Sequence, residues 1–283
     1  MNSIKVNLAC GDVFVDSVEW LNLDFAPASA TVKKANLLHR LPVPDGSVGV
    51  VYASHFFEHI PRDSIAGFLQ ECFRILAPGG SIRLVLPDFE EMASTYLKYR
   101  STSEHEKAEF LIVEIIDQAV RRRPGGELGD TYRQLRSQTG ESAAEMRQFI
   151  NGRNGEAFGG LTNKSQFAPN SASKQASKQA SRVLRTVQRR IINIWIRACL
   201  RLLPSAFRAQ NVSLAGIGER HQWLWDFHQV TDALHAAGFV DARKMAFDQT
   251  AIDDFPWQAL DAGPDGSPRK GEESMYIEAR KSV

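Results

Sequence analysis

The hydrophobic pattern of the first hundred residues alternates short β-rich runs with helical spacing. Ile4 to Leu8 is apolar apart from Lys5 and Asn7, and it ends in Ala9-Cys10-Gly11. Trp20 to Leu23 is a second run, closed by Asp24; Val32 to Leu38 is a weaker third; Val48 to Tyr52 reads as a buried strand. From Ser64 to Leu76, Ile65, Phe68, Leu69, Cys72, Phe73 and Leu76 fall three or four apart, which predicts a helix. It stops at Ala77-Pro78-Gly79-Gly80, where proline and glycine cannot continue it. Ser81 to Leu86 predicts a fifth strand, closed by Pro87-Asp88. Strands alternating with helices imply crossover connections and a mostly parallel sheet covered on both faces.

From about Phe89 to Arg220 the pattern predicts helices and no strand. It includes a short repeat, Ala172 to Ser181, that has little to bury. Regularity returns after Trp223, with an amphipathic helix over Val230 to Ala237 stopped by Gly238, then strands over Val240 to Phe247 and Met275 to Ala279. The expected organisation is an N-terminal core segment at 1–99, a helical, basic insertion at 100–220, and a completing segment at 221–283.

Composition changes this picture little. Hydrophobic residues make up 43% of the 283 and charged residues 24%, ordinary for a globular chain. The three cysteines, Cys10, Cys72 and Cys199, are scattered, which argues against a disulfide framework or a Cys-ligated zinc site and fits a reducing cytosol. No signal-peptide pattern opens the chain and no apolar run could span a bilayer, so a cytoplasmic location is expected.

Charge is informative only locally. No Asp or Glu occurs between Ala157 and Gly218, but ten Lys or Arg do. Over 182–203 the arginines interleave with Leu184, Val187, Ile191, Trp195, Ala198 and Leu202. This is the pattern of a basic amphipathic helix, suited to a lid, a dimer contact, or peripheral contact with an anionic membrane at its inner face. Nucleic acid is a less fitting partner, because no binding module is recognisable. The oligomeric state is not legible.

The candidate chemistry lies at the predicted strand ends, where open α/β sheets bind ligands. Small residues after the first strand let the backbone approach a ligand. A carboxylate at Asp24 can accept from two ribose hydroxyls, and an amide at Asn36 can accept from an adenine amino group.

Taken together, Asn7-Leu8-Ala9-Cys10-Gly11, Leu21-Asn22-Leu23-Asp24, Leu41-Pro42-Val43-Pro44-Asp45-Gly46-Ser47, Ser54-His55-Phe56-Phe57-Glu58-His59 and Leu76-Ala77-Pro78-Gly79-Gly80 resemble the type 11 branch of class I S-adenosylmethionine-dependent methyltransferases. The resemblance covers about the first ninety residues. It implies a Rossmann-like α/β sheet, parallel with one antiparallel strand and interrupted here by the helical insertion. It also implies S-adenosylmethionine as cofactor, with Asn7, Ala9, Cys10 and Gly11 against its amino-acid part, Asp24 on the ribose, Asn36 and Leu37 at the adenine, and Ser54 beside them. The family often has glycine where this chain has Ala9 and aspartate where it has Asn36. A narrower resemblance, through Ser54 to His59, Leu86-Pro87-Asp88 and His221-Gln222-Trp223 with Asp226, is to predicted methyltransferases of surface-polysaccharide biosynthesis. It implies a sugar, glycolipid or other small acceptor.

Methyl transfer to a hydroxyl needs alignment and a group to take the proton. His55, His59, Asp88 and His221 are the candidates; Asp88 could equally cap the following helix. His55 to His59 also spells HxxEH, the signature of inverted zinc peptidases. That reading needs one helix carrying both histidines and a third ligand, whereas His55 directly follows a strand, so no metal is expected. The alternative to an enzyme is a non-catalytic binding protein of the same fold, acting through its basic insertion.

Overall fold

The computed structural model describes residues 4–27, 29–156, 158, 194–196, 198–215 and 218–283. The repeat at 172–181 and residues 182–193 of the basic segment lie outside the described residues. The chain divides into two compact units, 1–158 with 215–283, and 159–214. The predicted insertion therefore does not stand as one body: its first half, to residue 158, belongs with the sheet.

The first unit is built on a seven-stranded sheet in the order β3-β2-β1-β4-β5-β7-β6. Its strands are β1 (Ile4–Leu8), β2 (Trp20–Asp24), β3 (Lys33–Lys34), β4 (Val48–Ser54), β5 (Leu76–Pro87), β6 (Phe239–Met245) and β7 (Ser274–Lys281). β1 to β5 pair in parallel, and β7 runs antiparallel to both β5 and β6. The third strand shrinks to two exposed lysines, since no apolar alternation holds Val32 to Leu38 in the sheet. The fifth is longer than its apolar run: residues 77–80 stay extended through a register shift opposite β4.

Strand alternation sorts the core into two layers. Val51 and Ala53, with Ile82, Leu84 and Leu86, face α1 (Ile65–Ile75) and the helix Phe227–Ala236. Val50, Tyr52 and Val85 face the opposite way, toward Ile252, Phe255, Leu260 and Tyr276. Each fully buried aliphatic side chain stabilises the fold by about 1.5–3 kcal/mol. The helices α2 (Phe89–Ser101), α3 (His105–Val120), α4 (Gly126–Ser137) and α5 (Glu141–Asn154) follow β5. The last three of these close over Phe110, Leu128, Leu135, Met146 and Ile150. Then come α6 (Ser205–Asn211) in the second unit, α7 (Phe227–Ala236), stopped by Gly238 at φ 98, and the short α8 (Trp257–Leu260). Among the described residues no helix is long and apolar enough to cross a membrane.

A buried ionic knot ties α5 to the rest of the unit. Arg153 donates to Glu114 at 2.7 Å and to both oxygens of Glu91, at 3.0 and 2.8 Å. Glu273, whose Oε2 has no hydrogen-bond partner, packs beside it. Burial, reinforced by the charge of Glu114, holds the Glu273 carboxyl well above the usual range. A raised acid is protonated in the fold while the unfolded chain has released its proton, so stability falls as pH rises from the ordinary glutamate range. Glu273→Gln keeps the size and stays neutral. Its stability in urea unfolding should gain on that of the wild type as pH rises above the ordinary glutamate range; a difference that does not change with pH would refute burial as the cause.

Candidate functional site

The turn after β1 is shaped by two left-handed residues, Ala9 at φ 53 and Gly11 at φ 52. An L side chain rarely adopts such a φ, so Ala9 is held in a conformation that glycine would take without strain. A Cβ placed on Gly11 would meet nothing within 4 Å, so the turn presents bare backbone to open space. The Asn7 amide is buried and donates to the Val13 carbonyl at 3.1 Å, fixing the far side of the loop. Asn7 thus shapes the turn from beneath. Burial and then the nearby Asp24 charge push the Cys10 thiol up to about 12, which leaves it an unreactive wall.

Asp24 ends β2 half-buried. Its Oδ2 accepts from the Gly11 N–H at 3.0 Å and its Oδ1 from the Ala26 N–H at 2.7 Å. A carboxylate has about four acceptor sites, so each oxygen keeps capacity for a further donor such as a sugar hydroxyl. Asn36 is exposed two residues past β3, and its Oδ1 accepts locally from the Leu38 N–H at 3.2 Å. Leu37 is buried beneath it. In the β1–β4 register Leu8 pairs with Ala53, so the two strands end on the same side of the sheet, β1 before Ala9 and β4 before His55.

His55 has φ 49, an uncommon conformation for a side chain with a Cβ, and its N–H donates to the Val85 carbonyl at 2.7 Å. The chain then enters a single 3-10 turn, Phe57–His59, rather than a helix. This folds both histidines toward Glu58, which is only 1% exposed. His55 Nδ1, His59 Nε2 and His221 Nε2 lie 3.4, 3.7 and 4.0 Å from Glu58 Oε1. His221 arrives from 162 positions along the chain: its N–H donates to the Gln118 carbonyl, and the Gln222 N–H donates to the Glu58 carbonyl at 2.7 Å. The His59 and His221 rings meet edge to face at 4.8 Å.

Electrostatics keep these imidazoles neutral. Burial, aided by the neighbouring cations and histidines, lowers His55 well below the usual value and His221 to about 3. His59 is also lowered by burial, against the pull of the Arg220 carbonyl. Burial raises Glu58 to about 8, with Lys270 opposing. Asp88 stands apart from this group. It caps α2 by accepting from the Glu90 N–H at 3.1 Å and pairs with Lys244. Of the four candidate catalytic residues, three histidines therefore gather and Asp88 holds β5, α2 and β6 together. Glu58 and Lys270 were not singled out as site residues from the sequence. The pattern Ser-His-x-x-Glu-His pointed at the former; a lysine in a polar loop carries no such signal.

Residues 7–84 match the family model of a methyltransferase domain. No curated protein matches the chain significantly. Among solved structures, an S-adenosylmethionine-dependent methyltransferase from Archaeoglobus fulgidus is 11% identical, with 99% of this chain and 86% of that one covered at a TM-score of 0.40. One from Thermotoga maritima, described as a possible histamine N-methyltransferase, is 10% identical over 99% and 82%, at 0.37. Geranyl diphosphate C-methyltransferase of Streptomyces coelicolor is 14% identical over 30% of this chain and 38% of that one, at 0.25. The sheet is Rossmann-like, mostly parallel with one antiparallel strand, and residues 7–84 of it carry a methyltransferase domain, for which S-adenosylmethionine is the matching cofactor.

Proposed function

We propose that the protein transfers a methyl group from S-adenosylmethionine to an oxygen of a sugar, glycolipid or comparable small acceptor. The observation that carries the oxygen assignment is the gathering of His55, His59 and His221 around Glu58 just past the end of β4, the strand that pairs with β1 where the cofactor turn begins. When bound, the cofactor supplies an electrophilic methyl on a sulfonium. The protein's part would be to aim the acceptor hydroxyl at that methyl and to give the proton that the oxygen loses somewhere to go. His59 donates its Nδ1–H to the Arg220 carbonyl at 2.9 Å, which leaves Nε2 as a lone pair facing the cluster. His55 is oriented by Ser274, with Nε2 and Oγ 2.9 Å apart. Unprotonated imidazole nitrogens can accept the hydrogen bond of the acceptor hydroxyl and aim its oxygen at the methyl, while the burial that lowers their pKa makes them weaker bases than a free histidine. Asp24 and the Ala9–Gly11 backbone hold the donor, with Asn7 and Ser54 supporting the turn and Asn36 and Leu37 bordering the adenine.

Titration calorimetry with S-adenosylmethionine and S-adenosylhomocysteine should show saturable binding of both. Label from a methyl-tritiated cofactor should then pass to a glycan or membrane-lipid fraction. Absence of heat with either would favour the non-catalytic reading, and label found only in protein or nucleic acid would overturn the acceptor class.

Peripheral membrane contact through 182–203 is part of this reading. It is supported by the run of arginines and by the exposure of Ile194, Trp195, Leu202 and Phe207 in the second unit. Deleting 172–208 should abolish sedimentation with anionic liposomes; an intact protein that ignores such liposomes would rule the contact out.

A further inference from the structure

We propose that Glu58, His59 and His221, with His55 as a further donor, form a binding site for one divalent first-row transition-metal ion, zinc foremost. The HxxEH pattern alone spoke against a metal, because it lacks the helix that zinc peptidases use. The fold supplies the site by another route: a 3-10 turn gathers the motif's own side chains, and His221 adds the third donor.

Three observations carry this. The donor atoms of Glu58, His59 and His221 all lie within 4.8 Å of one another. Three imidazole nitrogens stand 3.4, 3.7 and 4.0 Å from Glu58 Oε1, and none of them makes a hydrogen bond to it. These separations are close to the spacing of tetrahedral ligands, since atoms about 2.0–2.1 Å from a zinc ion lie about 3.3–3.4 Å apart.

Second, the groups are polar, buried and unanswered. Neither Glu58 oxygen has a hydrogen-bond partner, though Glu58 is only 1% exposed. A buried carboxylate without donors lacks the compensation that keeps such groups in a fold. A cation among the lone pairs supplies it. Lys270 is the rival countercharge, but no hydrogen bond joins it to Glu58 among the described contacts.

Third, the outer contacts are those of ligating histidines. His59 Nδ1–H donates to a backbone carbonyl and His55 Nε2 engages Ser274, so each ring turns its other nitrogen toward Glu58. Such partners fix the tautomer and orientation of a metal-bound imidazole. Two imidazoles and a carboxylate favour zinc and its neighbours over magnesium or calcium.

The proposal rests on the reading of the preceding subsection with one change: once an ion is bound, the His55 and His59 lone pairs would be its ligands and not proton acceptors, and the ion would instead lower the pKa of the acceptor hydroxyl as a Lewis acid. Metal binding is measured without cofactor or acceptor, so failure of either idea leaves the other open to its own test.

The experiment uses the tag-free full chain, stripped with chelator and titrated with Zn²⁺ against a chromophoric chelator, then with Co²⁺. The expected result is about one equivalent bound below about 1 μM, with tetrahedral Co²⁺ absorption. Glu58→Gln and His221→Ala should weaken zinc binding by about 100-fold or more, while His228→Ala, at an exposed histidine of α7, leaves it unchanged. Wild-type protein that takes up no zinc below about 10 μM, or variants that bind as the wild type does, would overturn the site. If a variant fails to fold, the Co²⁺ spectrum of the wild type decides: weak octahedral bands count against the site.

Discussion

Arg83→Met should cost about 3–5 kcal/mol of folding stability, the range for removing one partner of a buried ion pair. Arg83 is fully buried (0% exposed) in the layer behind β5. Its guanidinium donates to Asp261 at 2.9 Å, to Glu278 at 2.5 Å and to the Gln249 carbonyl at 3.0 Å. It also lies 5.1 and 5.3 Å from the Phe255 and Tyr276 ring centres. Without it, two carboxylates stay buried with no countercharge, and only Tyr52 still donates to Asp261, at 2.6 Å. Lysine would not replace it, because one ammonium cannot meet two carboxylates and a carbonyl in the fork geometry of the guanidinium. Neutralising the partners as well, in an Arg83→Met, Asp261→Asn, Glu278→Gln chain, should recover much of the loss. Urea unfolding followed by circular dichroism measures all three. A loss under about 1 kcal/mol for Arg83→Met would show that water reaches this layer.

Arg83 also marks where reading the sequence stops. The strand over Ser81 to Leu86 was legible because Ile82, Leu84 and Leu86 alternate; nothing in that run says that the arginine between them is buried. Its partners stand 178 and 195 positions away, and no local pattern announces so distant a pairing. The same contrast holds at the site. The turn from Asn7 to Gly11 and the acid at Asp24 were legible because a strand end followed by small residues and a carboxylate is a local signal. The left-handed φ of Ala9 and the bond from the Gly11 N–H to Asp24 then follow from the turn. Asn36 was placed at a strand end that the structure shortens to two residues, since Lys33 and Lys34 have no apolar alternation to extend it. His55, His59 and His221 were each legible as candidates, but not their convergence. It depends on the 3-10 turn at Phe57–His59 and on main-chain bonds from residues 221 and 222 to Gln118 and Glu58. The extent of the insertion is set by packing that no local pattern announces: the amphipathic faces of α3 to α5 close on one another over a cluster of their own.

The two halves of the cofactor turn should fail in different ways when altered. Asp24→Ala removes a charged acceptor that holds the Gly11 and Ala26 N–H groups and has capacity left for two hydroxyls. Hydrogen bonds to charged groups are worth about 1.5–3 kcal/mol each, so losing those to the ribose should weaken S-adenosylmethionine binding by about 100-fold or more. Asp24→Asn, which keeps one acceptor oxygen, should fall between. Gly11→Val acts by space instead. Its Cβ would meet no protein atom within 4 Å, so the folded chain should lose only the strain of a branched side chain at φ 52, about 1–2 kcal/mol. The new methyl groups would occupy the volume into which the bare turn opens, and cofactor binding should disappear while the thermal transition persists. Calorimetry and thermal unfolding on the same samples separate the two effects. Binding within threefold of the wild type in both Asp24→Ala and Gly11→Val would mean that the cofactor lies elsewhere; loss of folding in Gly11→Val would mean that the turn is packed rather than open.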